Sequence, residues 1–240
     1  MIQPYYNDQE YGITIYHGSV FDVLPFLPMV DFVYADPPYG VGKADWDGEY
    51  LTGWEMDAVN KSYGGMLVNT GTKSICTAIS ALGKEYKDLF YAWNKNGMTF
   101  TSIGFLNVVV AIVAGNVKLG QNFTQFSIIN FNTKMSHPSP KPIEYMNCIV
   151  KRFTSEGDTI LDPFMGSGTT LVSAKKTGRK AIGIEIEEKY CEIAVKRLQK
   201  EGLGFNFPKT PDKGFDLIKS KQRRNKNVRT KQNITIAYEI

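Results

Sequence analysis

Two short clusters, 126 positions apart, hold the residues best suited to chemistry. The first is Asp36-Pro37-Pro38-Tyr39-Gly40, directly after the apolar run DFVYA. In an open α/β sheet, ligands bind at the carboxyl ends of the strands. Two prolines fix φ and remove two N–H donors, so the Pro37 carbonyl is rigidly aimed, with no neighbouring donor to quench it. The Asp36 carboxylate, that carbonyl and the flat Tyr39 ring suit a planar ring bearing an exocyclic amino group. Such a group has two N–H donors. Accepting both at Asp36 and Pro37 favours a tetrahedral nitrogen whose lone pair can attack, and the carboxylate stabilises positive charge growing there. Tyr39 would stack on the ring. The plain alternative is a strand that ends in a Pro-Pro turn; the preceding strand and the following tyrosine favour the chemical reading.

The second cluster is Asp162-Pro163-Phe164-Met165-Gly166-Ser167-Gly168-Thr169-Thr170, again a strand, a glycine turn and the start of a helix. Gly166 and Gly168 allow backbone to approach a ligand closely, and a helix N-terminus favours an anionic group. No Gly-Lys-Ser/Thr follows, so this is not a P-loop. Leu171 stands where a dinucleotide fingerprint has its third glycine, and no residue suited to hydride chemistry accompanies it, which argues against a nicotinamide dehydrogenase. Glu185 ends the next strand, AIGIE, 19 positions after Gly166. A carboxylate there can accept from two ribose hydroxyls. Together these residues point to a nucleoside-type ligand.

Buried strands are predicted at 13–16, 31–35, 65–69, 89–93, 107–114, 159–161 and 181–184, where short apolar runs are bounded by turn residues. Helical patterns fit 54–61, 73–82, 143–153, 169–176 and 187–199. In 143–153, Ile143, Met146, Ile149 and Val150 form one apolar face with Glu144, Asn147 and Lys151 off it. This alternation predicts an α/β doubly wound, mostly parallel sheet, covered on both faces. The stretch 94–140, rich in glycine and aromatics, reads as partial sheet plus an insertion.

The 240 residues suffice for one substantial domain, with 42% hydrophobic and 22% charged residues. The net charge of +4 is uneven: residues 205–240 hold nine Lys/Arg against three Asp/Glu, and the rest hold 19 against 21. That basic tail suits phosphate contacts or a solvated end equally. Cys76, Cys148 and Cys191 are scattered, a poor disulfide or zinc framework, which predicts a reducing cytoplasm with thiols in or near the core. With only His17 and His137, no metal centre is expected, and His17 reads as structural. The N-terminus has no basic-then-apolar segment, and the longest apolar run, 108–114, is too short to span a bilayer; neither a signal peptide nor a membrane partner is expected.

These motifs resemble the S-adenosylmethionine-dependent DNA amino-methyltransferases that modify adenine N6 or cytosine N4. HGSVFDVLPFLPMVDFVYADPPYG looks like the catalytic half of that family, and His137-Pro138-Ser139-Pro140-Lys141-Pro142, LDPFMGSGTT and GIEIEEKYCEIAVKRL look like its cofactor half. The catalytic motif precedes the glycine turn, the order of the circularly permuted beta group, whose target-recognition region lies between them. The resemblance implies a Rossmann-like class I methyltransferase domain over 1–204. Its catalytic half would span about 12–95, its recognition insertion about 94–140 and its cofactor half about 137–200, with a basic tail from 205.

Further implications are S-adenosylmethionine as cofactor and double-stranded DNA as partner, with a homodimer among the assemblies the group forms. Asp36, Pro37, Pro38 and Tyr39 would hold and stack a flipped base. Asp162, Phe164, Gly166, Ser167, Gly168, Thr169 and Thr170 would bound the cofactor, Glu185 would take its ribose, and His137 and Lys141 would lie near its carboxylate. Ser19, where the family often has Asp, would face its adenine end. Asp as first residue of the tetrapeptide points to adenine, with N4-cytosine on the same scaffold, or an RNA substrate, as the alternatives.

Overall fold

A computed structural model describes residues 2–38, 51–71, 74–94, 99–101, 104–106, 108–117, 126–129 and 143–201. Tyr39, His137, Ser139, Lys141 and the basic tail lie outside the described residues. The strands are β1 (Tyr6–Asp8), β2 (Ile13–His17), β3 (Phe32–Ala35), β4 (Met66–Thr70), β5 (Tyr86–Asn94), β6 (Thr99–Thr101), β7 (Gly104–Leu106), β8 (Val108–Ala114), β9 (Phe126–Ile129), β10 (Thr159–Asp162) and β11 (Lys180–Glu185). The helices are α1 (Val20–Val23), α2 (Glu55–Asn60), α3 (Ile75–Leu82), α4 (Ile143–Phe153), α5 (Thr169–Lys176) and α6 (Glu188–Glu201).

Among the described residues nine strands form one sheet in the order β1-β2-β11-β10-β3-β4-β8-β5-β9, and β6 and β7 pair separately as an antiparallel ribbon. From β2 to β4 every neighbouring pair is parallel; β1 and β8 run the opposite way. The doubly wound architecture is therefore present. Both faces of the parallel strands are apolar because both are covered. Val20, Val23, Ala58, Val59, Ala78 and Leu82, from α1 to α3, pack with Val33, Ala35, Met66 and Val68. On the other face Met146, Ile149, Leu171, Val172, Ala194 and Leu198, from α4 to α6, pack with Ile13, Ile15, Phe32 and Leu67. Each large aliphatic side chain so buried contributes about 1.5–3 kcal/mol relative to exposure.

The predicted elements are all found, with ends shifted by a few residues. Three details differ. Tyr145 joins the buried face of α4, because its hydroxyl has a partner inside. Within 94–140 the described segments add more sheet than expected, with β9 extending it in parallel beyond β5. Cys191 is buried and Cys148 half-buried, but Cys76 is exposed on α3, so the thiols are not uniformly in the core.

Candidate active site

Four adjacent parallel strands, β2, β11, β10 and β3, end on one edge of the sheet. Their ends carry Ser19, Glu185, Asp162 and Asp36 in that spatial order. The motifs that are far apart in sequence thus meet because β10 pairs with both β3 and β11. Asp36 is half-buried, Pro37 buried and Pro38 half-buried.

Asp162 is 2% exposed. Its Oδ1 accepts from the Phe164 N–H at 3.0 Å and its Oδ2 from the Thr170 hydroxyl at 2.5 Å. Burial pushes its pKa up from 3.8 to about 7, the two hydrogen bonds oppose the rise, and the nearby Asp36 and Glu185 charges add to it. Glu185 is also raised, chiefly by burial, against the backbone N–H groups that hold it. Its Oε2 accepts from the Gly166 N–H at 2.9 Å and its Oε1 from the Glu187 N–H at 2.8 Å. The Met165 N–H donates to the Ile184 carbonyl at 3.0 Å, so the glycine turn is pinned to β11 twice. This edge is anionic and partly desolvated, a setting that attracts a cation.

The turn residues divide between two tasks. Gly166 has φ +51° and open space where a Cβ would stand, so its backbone is approachable. Gly168 has φ +77°, and a Cβ there would lie 2.7 Å from Ala194 Cβ on α6. The missing side chain at Gly168 therefore makes room for α6, a packing role that the sequence did not reveal. Ser167 and Thr169 face the same way, since the Arg197 guanidinium donates to the Ser167 carbonyl at 2.6 Å, its hydroxyl at 2.9 Å and the Thr169 hydroxyl at 3.2 Å. Leu171 needs no glycine in its place because Gly183 on β11 makes the room; a Cβ on Gly183 would meet Met165 Sδ, and Leu171 at 3.0 Å.

Phe164 packs edge-on against the fully buried Trp54 ring, centroids 4.8 Å apart. The Trp54 Nε1–H donates to the Leu51 carbonyl at 2.9 Å, which lets that indole be buried. The Ser19 hydroxyl caps α1 by accepting from the Phe21 N–H at 3.2 Å. His17 Nε2 lies 3.0 Å from the Ile186 carbonyl, a structural contact at the same edge.

Sequence reasoning missed Arg197 and Ile186. Arg197 carries no local signal, its partners being 28 to 30 positions away. Ile186 is 62% exposed beside Glu185, an apolar surface next to a carboxylate, and the signal was its place directly after a strand-ending acid. Among the described residues no group of His, Cys, Asp and Glu could hold a metal ion. No described helix is long and apolar enough to cross a membrane.

The sheet order, the two covered faces and the acid-lined carboxyl edge define a Rossmann-like class I methyltransferase fold. A sequence profile described as DNA methylase, N6_N4_Mtase, matches residues 60–196, and the chain belongs to this family of DNA methyltransferases. It is 28% identical to the type II methyltransferase M2.DpnII of Streptococcus pneumoniae, across 84% of this chain and 94% of that one. It is 25% identical to the DNA adenine methyltransferase YhdJ of Escherichia coli K12, across 77% of this chain and 82% of that one. Among solved structures it is similar to the M1.HpyAVI–SAM complex, with TM-score 0.63, 27% identity, and coverage of 78% of this chain and all of that one. The cytosine-N4-specific PvuII DNA methyltransferase shares the fold, with TM-score 0.60 and 16% identity over 85% of this chain and 90% of that one.

Proposed function

We propose that this protein transfers the methyl group of S-adenosylmethionine to the exocyclic N6 of adenine in double-stranded DNA, as a permuted, beta-group enzyme. The single observation that carries the reading is the meeting, on one sheet edge, of the Asp36-Pro37-Pro38 strand end with the acid-lined glycine turn. Motif order supports the permutation: β3 precedes β10 in the chain yet lies beside it in the sheet. The relatives named above include an adenine enzyme and a solved M1.HpyAVI–SAM complex, and Asp36 as first residue of the tetrapeptide favours adenine.

S-adenosylmethionine supplies an electrophilic methyl on a sulfonium, and its charged groups suit this anionic edge. Glu185 would accept from ribose hydroxyls, Ile186 would lie against a flat ring, and Gly166 would let backbone come close. Asp162 supplies buried negative charge, and Thr170 holds its carboxylate in place. Ser167, Gly168 and Thr169 shape the turn from the α6 side, while Ser19 borders the edge at β2. His137 and Lys141 are assigned to the cofactor's carboxylate. Asp36 and the Pro37 carbonyl would accept the two amino hydrogens of the target base, and Tyr39 would stack on it. The base must leave the duplex, since its amino nitrogen cannot reach a methyl donor within the stack. Catalysis then rests on positioning and on the carboxylate's stabilisation of charge at nitrogen. Cytoplasmic modification of DNA, with or without a restriction partner, is the setting this chemistry fits.

The protein is incubated with S-adenosylmethionine carrying a labelled methyl and with unmethylated duplex DNA, which is then digested to nucleosides for mass spectrometry. Labelled N6-methyladenine is the expected product. N4-methylcytosine would overturn the base assignment, and label in RNA alone would overturn the substrate.

A further inference from the structure

Three polar side chains lie fully inside the protein directly behind the strand end that carries Asp36. Tyr34 of β3 is 1% exposed, and Asn69 of β4 and Tyr145 of α4 are 0% exposed. Asn69 Nδ2 donates to the Tyr34 hydroxyl at 2.6 Å, and the Tyr145 hydroxyl donates to Asn69 Oδ1 at 3.0 Å. A buried polar group is costly unless its partners are met, and apolar side chains of similar size would pack the same space without that demand. What a satisfied buried network adds is direction, since hydrogen bonds fix orientation where apolar contacts allow sliding.

The network's location gives that direction a use. Tyr34 stands two residues before Asp36, so the two positions share a face of the extended chain. The β3–β4 pairing runs Val33 with Met66, Tyr34 with Leu67 and Ala35 with Val68, which puts Asn69 level with Asp36 one step further on. Tyr145 belongs to α4, and α4 holds the glycine-turn helix as well: the Ser173 hydroxyl of α5 donates to Asn147 Oδ1 at 2.7 Å. One helix is thus hydrogen-bonded to the supports of both motifs.

We infer that Asn69, held between Tyr34 and Tyr145, is a positioning residue that fixes Asp36 relative to the glycine turn, so that the target nitrogen and the methyl donor meet in line. The inference rests on the assignment of Asp36 to the target base. In-line transfer is sensitive to small displacements, so loosening this support lowers turnover without removing any group that touches cofactor or base.

The test uses the full chain as wild type, Asn69→Leu and the triple variant Tyr34→Phe/Asn69→Leu/Tyr145→Phe. It measures kcat and KM for methyl transfer, Kd for S-adenosylmethionine by titration, and Tm. Asn69→Leu withdraws one hydrogen-bond partner from each tyrosine hydroxyl and lowers Tm; the triple variant, which also removes both hydroxyls, regains part of that loss. In both, kcat is expected to fall on the order of ten- to a hundredfold, with Kd and KM for the cofactor within about twofold of wild type. An unchanged kcat in Asn69→Leu overturns the inference. So does a kcat that recovers together with Tm in the triple variant, since the network would then serve stability alone. A wild-type protein that methylates no DNA removes the assignment of Asp36 instead, and the inference with it.

Discussion

The same dipeptide, Asp-Pro, ends two neighbouring parallel strands, and the two ends are built differently. At β10 the Asp162 carboxylate is buried and takes a hydrogen bond on each oxygen from its own turn, from the Phe164 N–H and the Thr170 hydroxyl. At β3 the Asp36 carboxylate is half-buried, and the two residues after it are prolines, with no N–H to turn back on it. A turn that satisfies its own carboxylate makes a fixed, partly neutralised charge, suited to framing a cofactor. A turn built from prolines offers its carboxylate no backbone N–H of its own, and on the proposed function Asp36 and the Pro37 carbonyl meet the donors of the target base. On the proposed assignment, the residue that follows each Asp-Pro, Phe164 against Pro38, separates the two ends more than the aspartate does.

The largest expected effect is at β3. Asp36→Ala lowers methyl transfer by at least about a hundredfold, measured as labelled methyl in DNA, because charge developing on the nitrogen loses its carboxylate. Next is Asp162→Ala, which leaves the Thr170 hydroxyl and Phe164 N–H without their acceptor inside the core. It destabilises the fold by roughly 2–4 kcal/mol in urea titration. Asp162→Asn sharpens the contrast through pH. The wild-type carboxyl binds its proton more tightly folded than unfolded, so its contribution to stability is complete below 3.8 and is lost as pH rises through about 7. The neutral Asp162→Asn variant should therefore gain on wild type across that window, as thermal melts at several pH values will show. Over the same window a bound cation favours the ionised carboxylate, so wild-type affinity for S-adenosylmethionine rises toward and past about pH 7. In Asp162→Asn that rise is flattened.

Smaller effects separate the two glycines of the turn. Gly168→Ala forces a Cβ onto Ala194 in a left-handed conformation and costs about 2–4 kcal/mol of stability. Gly166→Ala meets no atom and costs only the conformational strain, about 1 kcal/mol, while lowering cofactor affinity. Equal stability losses in the two variants would erase the distinction between a packing glycine and a binding one.

Much of the parallel sheet was legible because its strands are buried on both faces and so appear as continuous apolar runs, as in 31–35 and 65–69. The edge strand β1 was not legible: three residues, Tyr6, Asn7 and Asp8, carry no such run and owe their conformation to pairing with Thr14 and its neighbours. The four-residue α1 is specified by little more than its Ser19 cap. The run 107–114 was legible as β8, but β9 was not, because it depends on pairing with β5, more than thirty positions earlier in the chain. At the site, the acidic strand ends could be read from order and spacing. The inward-facing work of Ser167, Gly168 and Thr169 could not, because it depends on where α6 places Ala194 and Arg197.

The most direct test of the division between the two strand ends is a calorimetric titration of S-adenosylmethionine into Asp36→Ala and Asp162→Ala at pH 8. The account predicts wild-type affinity in Asp36→Ala and an affinity about tenfold or more weaker in Asp162→Ala, the loss of one buried opposite charge. Loss of cofactor binding in Asp36→Ala, with Asp162→Ala unaffected, would contradict it.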